Sequence, residues 1–158
     1  MSDNIQRLRR DIASAVADPV WPAGISARPF TAADAPAVHR LMQVAYAKGG
    51  GSVGTFDQWW PGVRDDGEFD AGLCFLAVDG RGEIVAAAQC WTTAFIKDLV
   101  VHPDARRQGI AEALLLTVFQ TFRRRGAAHV DLKVELDNPS GAVRLYRRLG
   151  MRDAPIDG

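Results

Sequence analysis

The residues with the clearest chemical meaning are Arg106-Arg107-Gln108-Gly109-Ile110-Ala111. An apolar, strand-like run ending in Leu99-Val100-Val101-His102-Pro103 precedes them, and an amphipathic helix pattern follows. The order is therefore strand, tight basic turn, helix start. A helix start presents backbone N–H groups without partners and roughly half a positive charge, so it favours anions. Gly109 has no Cβ and lets a ligand approach the backbone. Arg106 and Arg107 add charged donors suited to phosphate. The ligand these features predict is a pyrophosphate. An ordinary strand-to-helix turn with solvated arginines uses the same residues and stays open at this point.

The surrounding elements must hold that turn. Residues 3–17 carry Ile5, Leu8, Ile12 and Val16 at helical spacing, which predicts a helix ending before Pro19, with Val20-Trp21-Pro22 as linker. This helix either packs on the domain or serves as a homodimerisation arm. Ile25 to Phe30 reads as a first strand, and Thr31-Ala32-Ala33-Asp34 resembles a capping box with Asp in place of Glu or Gln. The helix it opens buries Ala35, Val38, Leu41, Met42 and Ala45, and Lys48-Gly49-Gly50-Gly51-Ser52 ends it in a flexible loop. Pro61-Gly62 is expected to interrupt any helix around Phe56, Trp59 and Trp60.

Leu73 to Val78 reads as a buried strand, Asp79-Gly80-Arg81-Gly82 as a hairpin turn, and Ile84 to Phe95 and Ile96 to Val101 as two further strands. The helix after the basic turn places Ile110, Leu114, Leu115, Val118, Phe119 and Phe122 on one face. Arg123-Arg124-Arg125-Gly126 closes it, with cations at the negative helix end. His129 to Leu136 alternates as a strand. A last helix buries Ala142, Leu145, Tyr146 and Leu149 and stops at Gly150. This order suits an α/β fold: a mixed sheet with helices on both faces.

At 158 residues the chain is one domain's length, with 19 basic and 19 acidic side chains. The even balance argues against nucleic-acid binding, which needs a basic excess. Cys74 and Cys90 lie in apolar segments and read as buried reduced thiols, and neither belongs to a metal-site pattern. The first thirty residues lack a signal-peptide core, and no apolar run approaches membrane-helix length, so a cytoplasmic, non-membrane protein is expected. There is no Gly-x-x-x-x-Gly-Lys-Ser/Thr sequence and no Gly-x-Gly-x-x-Gly fingerprint at a strand-to-helix turn, where a nucleotide would need it.

Three segments in register resemble the GNAT acyltransferase family. Arg106-x-x-Gly109-x-Ala111 is similar to its Gln/Arg-x-x-Gly-x-Gly/Ala motif, Asp98 to Pro103 resembles its fourth strand, and Asn138 to Met151 resembles its last motif. The likeness covers 96–151 closely, extends through 25–95, and stops near residue 24, dividing the chain into an N-terminal helix and linker, 1–24, and an acyltransferase domain, 25–158. The Asp-Asn-Pro-Ser-Gly-Ala-Val-Arg-Leu-Tyr wording resembles single-domain relatives of mycothiol synthase. The resemblance implies a mixed, mostly antiparallel sheet. The family usually adds one or two strands after the Leu-Gly-Phe position. Here only Arg152 to Gly158 remain, with Pro155 and no strand pattern, so the last strand is shortened or missing, supplied by a partner, or replaced by the N-terminal segment.

The resemblance also implies acetyl transfer from acetyl-CoA to a small-molecule or peptide amine. The diphosphate would lie on the backbone of Arg107, Gln108, Gly109, Ile110 and Ala111, with Arg106 beside it. The pantetheine arm would pair with Leu99-Val100-Val101 as a peptide pairs with an open strand edge. Leu99 or Val100 N–H would stabilise the oxyanion. Tyr146 sits at the family's general-acid position, and a phenol with a pKa of about 10 keeps its proton at neutral pH. A core tyrosine is the alternative. Asn138 would hydrogen-bond the thiol end of CoA. Asp98 and Glu135 are candidate bases by placement, although each also suits an ordinary strand-end carboxylate. Tyr46, Trp60 and Trp91, with Phe56 and Trp59, would either wall an acceptor pocket or belong to the core. The glycine-rich segment 49–54 would close over substrate. A non-catalytic acyl-CoA-binding module is the competing expectation.

Overall fold

A computed structural model describes residues 4–138 and 141–156. Seven strands form one sheet: β1 (Ile5–Asp11), β2 (Ser26–Pro29), β3 (Phe69–Val78), β4 (Ile84–Trp91), β5 (Phe95–Val101), β6 (His129–Glu135) and β7 (Arg152–Ala154). Their spatial order is β2-β3-β4-β5-β6-β1-β7, antiparallel throughout except for β5 beside β6. Four helices, α1 (Ala35–Ala45), α2 (Phe56–Arg64), α3 (Ile110–Arg124) and α4 (Ala142–Arg148), cover both faces. On one side α1 and α2 bury Val38, Met42, Trp59 and Val63 against Leu76, Ala87 and Val100. On the other, Leu114, Phe119 and Phe122 of α3 pack with Tyr146, Leu8, Val130 and Leu132. β4 is covered on both faces and reads as an apolar run through Val85-Ala86-Ala87-Ala88.

The N-terminal segment is not a helix. Residues 5–11 form β1, paired with β6 over its whole length from Ile5↔Glu135 to Asp11↔His129. The spacing of Leu8, Ile12 and Val16 is ambiguous, because four is close to 3.6 and also a multiple of two. Leu8 is fully buried while Ile5 is 45% exposed, so the stripe breaks where a helix would have continued it. The opposite face of β1 decides the matter. Arg7 Nε and Arg9 Nε donate to Asp131 of β6 at 2.6 and 2.9 Å, and Arg9 Nη2 adds a further bond at 2.9 Å. A helix could not have brought residues 7 and 9 to one carboxylate, because i and i+2 lie on different faces.

Two more expectations are corrected. The sheet does continue after Met151: β7 pairs with β1 through Arg7↔Ala154 and Arg9↔Arg152. It is three residues long, so the expected shortening holds. The place beside β6 is taken by the N-terminal segment. Pro61 lies inside α2 rather than interrupting it. Thr55 Oγ1 accepts from Gln58 N–H and Gln58 Oε1 accepts from Thr55 N–H, which closes the first turn, and buried Trp59 and Val63 hold the following one. Reciprocal capping and packing offset the one backbone bond that proline removes.

The remaining elements follow the pattern. Thr31 and Asp34 make the expected capping box, with Thr31 N–H donating to Asp34 Oδ2 at 2.8 Å. Arg28 pairs with the same carboxylate, and its hydrogen bonds hold Asp34 down at about 2. Gly82 N–H donates to Asp79 O across the β3–β4 turn. No helix among the described residues is long and apolar enough to cross a membrane, and no cluster of three or more His, Cys, Asp or Glu among them suits a metal.

Candidate active site

The site begins where the sheet opens. β5 and β6 are paired only at Phe95↔Asp131 and Ile96↔Leu132, after which they diverge. His102 N–H donates to Val85 O at 2.8 Å. Antiparallel alternation therefore turns Val100 toward β4 and turns the backbone of Leu99 and Val101 into the gap. Val100 N–H is thus directed to the ladder, and Leu99 N–H faces the gap. The Asp131 cluster fixes the apex, since Asp131 N–H also donates to Ala94 O at 3.0 Å.

The gap leads to the N-terminus of α3. Gly109 is its N-cap with φ +89° and no side-chain cap, so the N–H groups of Ile110, Ala111 and Glu112 have no partner within the helix. A Cβ at Gly109 would meet nothing within 4 Å, so the left-handed backbone rather than protein crowding explains glycine here, and the space above it is open. Arg107 also adopts a positive φ of 64°, so two left-handed residues, 107 and 109, shape the turn just before the helix start. Arg106 turns the other way. Its Nε donates to Val101 O at 3.2 Å and its Nη2 to Ala45 O at 3.1 Å, tying the turn to β5 and the end of α1. Its guanidinium is a brace more than a phosphate ligand. Arg107 and Gln108 are exposed beside the turn.

A polar cluster lies along the gap on the α1 face. Tyr46 O–H, just past α1, donates to Asp98 Oδ1 at 2.7 Å, and Lys97 Nζ donates to Asp98 Oδ2 at 3.1 Å. Burial, the neighbouring Asp98 carboxylate and the nearby Tyr146 phenol all push the Tyr46 hydroxyl far above its ordinary range. Tyr146 is 7% exposed, and burial pushes it up to about 12, so it holds its proton at neutral pH. Tyr46 is thus a hydrogen-bond donor, Tyr146 keeps its proton, and Asp98 is the acceptor between α1 and the gap.

The loop after α1 covers this cluster. A Cβ at Gly51 would fall 2.7 Å from Cε1 of Tyr46, so the loop backbone rests directly on that ring. One at Gly50 would stand 3.3 Å from Asn138 Nδ2 at the far end of β6. The loop therefore spans from Tyr46 to Asn138 across the gap. His39 Nε2 anchors its end on Gly54 O at 2.7 Å.

Some expected residues are not brought here. Glu135 is exposed at the end of β6, beside Ile5 of β1. Trp60 belongs to a row of ring contacts with Phe30, Trp59 and Phe69 under α2. Trp91 packs against the same core from the end of β4. Conversely, the structure adds Gln89, a residue outside the expected set. It is 2% exposed and pairs in register with Asp98. The signal was present: it is the one polar residue in Ile84-Val85-Ala86-Ala87-Ala88-Gln89-Cys90-Trp91.

A splayed parallel pair ending at a helix N-terminus, inside a mostly antiparallel sheet, agrees with what sequence comparison finds: the chain belongs to the acetyltransferase (GNAT) family, whose profile matches residues 36–151. Among curated relatives it is similar to the mycothiol acetyltransferase of Clavibacter michiganensis subsp. michiganensis, at 34% identity over 163 residues, covering 96% of this chain and 51% of that protein. It is also similar to the [ribosomal protein bS18]-alanine N-acetyltransferase of Escherichia coli, at 36% over 63 residues, 40% of this chain and 42% of that one. A crystal structure of a GCN5-related N-acetyltransferase from Sphaerobacter thermophilus matches with a TM-score of 0.79 and 32% identity, over 95% of this chain and 48% of that chain. The chain spans about half the length of the mycothiol acetyltransferases it matches.

Proposed function

We propose that this chain transfers an acetyl group from acetyl-CoA to a primary amine by direct attack in a ternary complex. The observation that carries the proposal is the continuous path from the gap-facing backbone of Leu99 and Val101, where no strand pairs, to the N–H groups at the start of α3 that have no partner within the helix. Pantetheine amides suit the former and a diphosphate the latter. The lone pair of the neutral amine would bond to the thioester carbon, and Asp98 would take the one proton that the nitrogen sheds as that bond forms. Leu99 N–H would stabilise the carbonyl oxygen as it gains charge. As the C–S bond breaks, Tyr146 would give its proton to the sulfur, leaving CoA and an N-acetyl product. Proton return from Asp98 to Tyr146 through solvent would complete the cycle. Asp98 is preferred to Glu135 as base because it is held by Tyr46 on the buried side of the gap. Asn138 would meet the thiol end, and Tyr46 would border the acceptor. The sheet is completed by β1 and β7, which removes the reason for favouring a non-catalytic module.

The test is calorimetric titration of acetyl-CoA and CoA into the wild type and Gly109→Glu, followed by a panel of primary amines. Wild-type binding abolished by the carboxylate is the expected result. Undiminished binding in the variant would remove the diphosphate from this turn, and no wild-type binding would refute the acyltransferase reading.

A further inference from the structure

Gln89 carries a feature that the proposed reaction has not yet used. β5 has one more residue than β4 at this level, Lys97, and the register shifts between Gln89 and Cys90. At this bulge Gln89 Nε2 donates to Cys90 O at 3.2 Å. A carbonyl oxygen only accepts, so that bond fixes the amide: the oxygen is its free end. Gln89 Oε1 is buried and has no hydrogen-bond partner among the described residues. Buried acceptors without donors are rare and costly, so the atom calls for a donor from outside the chain. Its register neighbour on β5 is Asp98, whose side chain lies on the same face and accepts from Tyr46 at one oxygen and Lys97 at the other. Directly opposed strand residues have Cβ atoms roughly 5 Å apart, which lets one small donor reach both.

Building on the acyltransferase reading, we propose that Gln89 Oε1 and the Asp98 carboxylate form a two-acceptor seat for the acceptor nitrogen, each receiving one N–H. A neutral primary amine fills both acceptors and keeps its lone pair for attack. A secondary amine leaves one buried acceptor empty; a tertiary amine has no N–H when neutral and a single one when protonated, so at most Asp98 is filled and Gln89 stays empty. Gln89 is therefore a specificity residue that selects nitrogen bearing at least two hydrogens.

Methylamine and trimethylamine are the probes, read by the side-chain amide resonance of Gln89, assigned through its loss in Gln89→Leu. Methylamine is expected to shift that resonance saturably, and trimethylamine at equal concentration to leave it in place. Followed at the Asp98 carboxyl, Gln89→Leu should weaken methylamine about tenfold, the worth of one hydrogen bond, and leave trimethylamine unchanged. A Gln89 signal indifferent to methylamine, equal losses for both amines, or an ordered water that stays on Oε1 in methylamine-soaked crystals would each overturn the seat. Should Gln89→Leu fail to fold, the wild-type comparison of the two amines decides alone. Acetyl-CoA binding with a silent Gln89 sinks only the seat. A responsive Gln89 without acetyl-CoA binding sinks the acyltransferase reading instead.

Discussion

Replacing Asp131 by Asn tests whether the N-terminal strand is part of the machinery. Asp131 is 1% exposed and accepts three hydrogen bonds from two guanidinium groups at 2.6–2.9 Å. The Arg7 side chain is 16% exposed and lies over the Phe95 ring at 5.3 Å, whereas Arg9 is 33% exposed and can be rehydrated. Breaking a buried pair by removing one partner costs about 3–5 kcal/mol. Discounting Arg9 for its exposure leaves about 3 kcal/mol, which for a domain of this size lowers Tm by about 6–12 °C. The same change loosens the apex where β5 and β6 part, so acetyl-CoA affinity should fall with it. Thermal unfolding followed by circular dichroism measures the first effect and calorimetry the second. The pH dependence supplies a sign. Burial pushes the Asp131 carboxyl up, but hydrogen bonds from Arg9 and Arg7 outweigh it and hold the group below its ordinary range. Its contribution is then present above the unfolded pKa of about 3.9 and is lost as pH falls through the lower folded value. The wild type should lose stability in that window, and Asp131→Asn should lack that part of the loss. A deficit under about 1 kcal/mol at neutral pH, the scale of a solvated surface pair, would refute the reasoning and leave β1 an accessory.

Three further outcomes are expected. Tyr146→Phe should bind acetyl-CoA as the wild type does while turnover on any amine found to react falls about 100-fold or more; unchanged turnover with intact binding would assign the proton elsewhere. Gly51→Ala places a methyl group 2.7 Å from the Tyr46 ring and should displace it from Asp98, seen as a downfield-to-upfield change of the hydrogen-bonded Tyr46 hydroxyl proton; an unmoved resonance would mean that the loop yields instead. Burial pushes the Cys74 thiol up to about 12 and Cys90 well above its ordinary value, so neither should react with a thiol reagent at pH 8 until the protein is unfolded, and labelling of the native state would contradict the packing.

The parts of the protein legible in the sequence are those decided by neighbours along the chain. The start of α3 needs a left-handed residue followed by free N–H groups, and Gly109 before an amphipathic run specifies both. The capping box at Thr31 and the turn at Asp79 close within four residues and are legible for the same reason. Tertiary structure decided what depends on residues distant in sequence. Leu8, Ile12 and Val16 fit either period, and only Asp131, more than 120 positions away, draws Arg7 and Arg9 to one side and makes the segment a strand. The gap between β5 and β6 has no composition of its own, because backbone groups form it and any apolar strand supplies them. Tyr46 meets Asp98 across 52 positions, and Gln89 faces Asp98 only because a bulge sets the register. The turn that would bind the anion was therefore written locally, while the place where chemistry would occur exists only once the sheet has brought three separate strands and a helix end together.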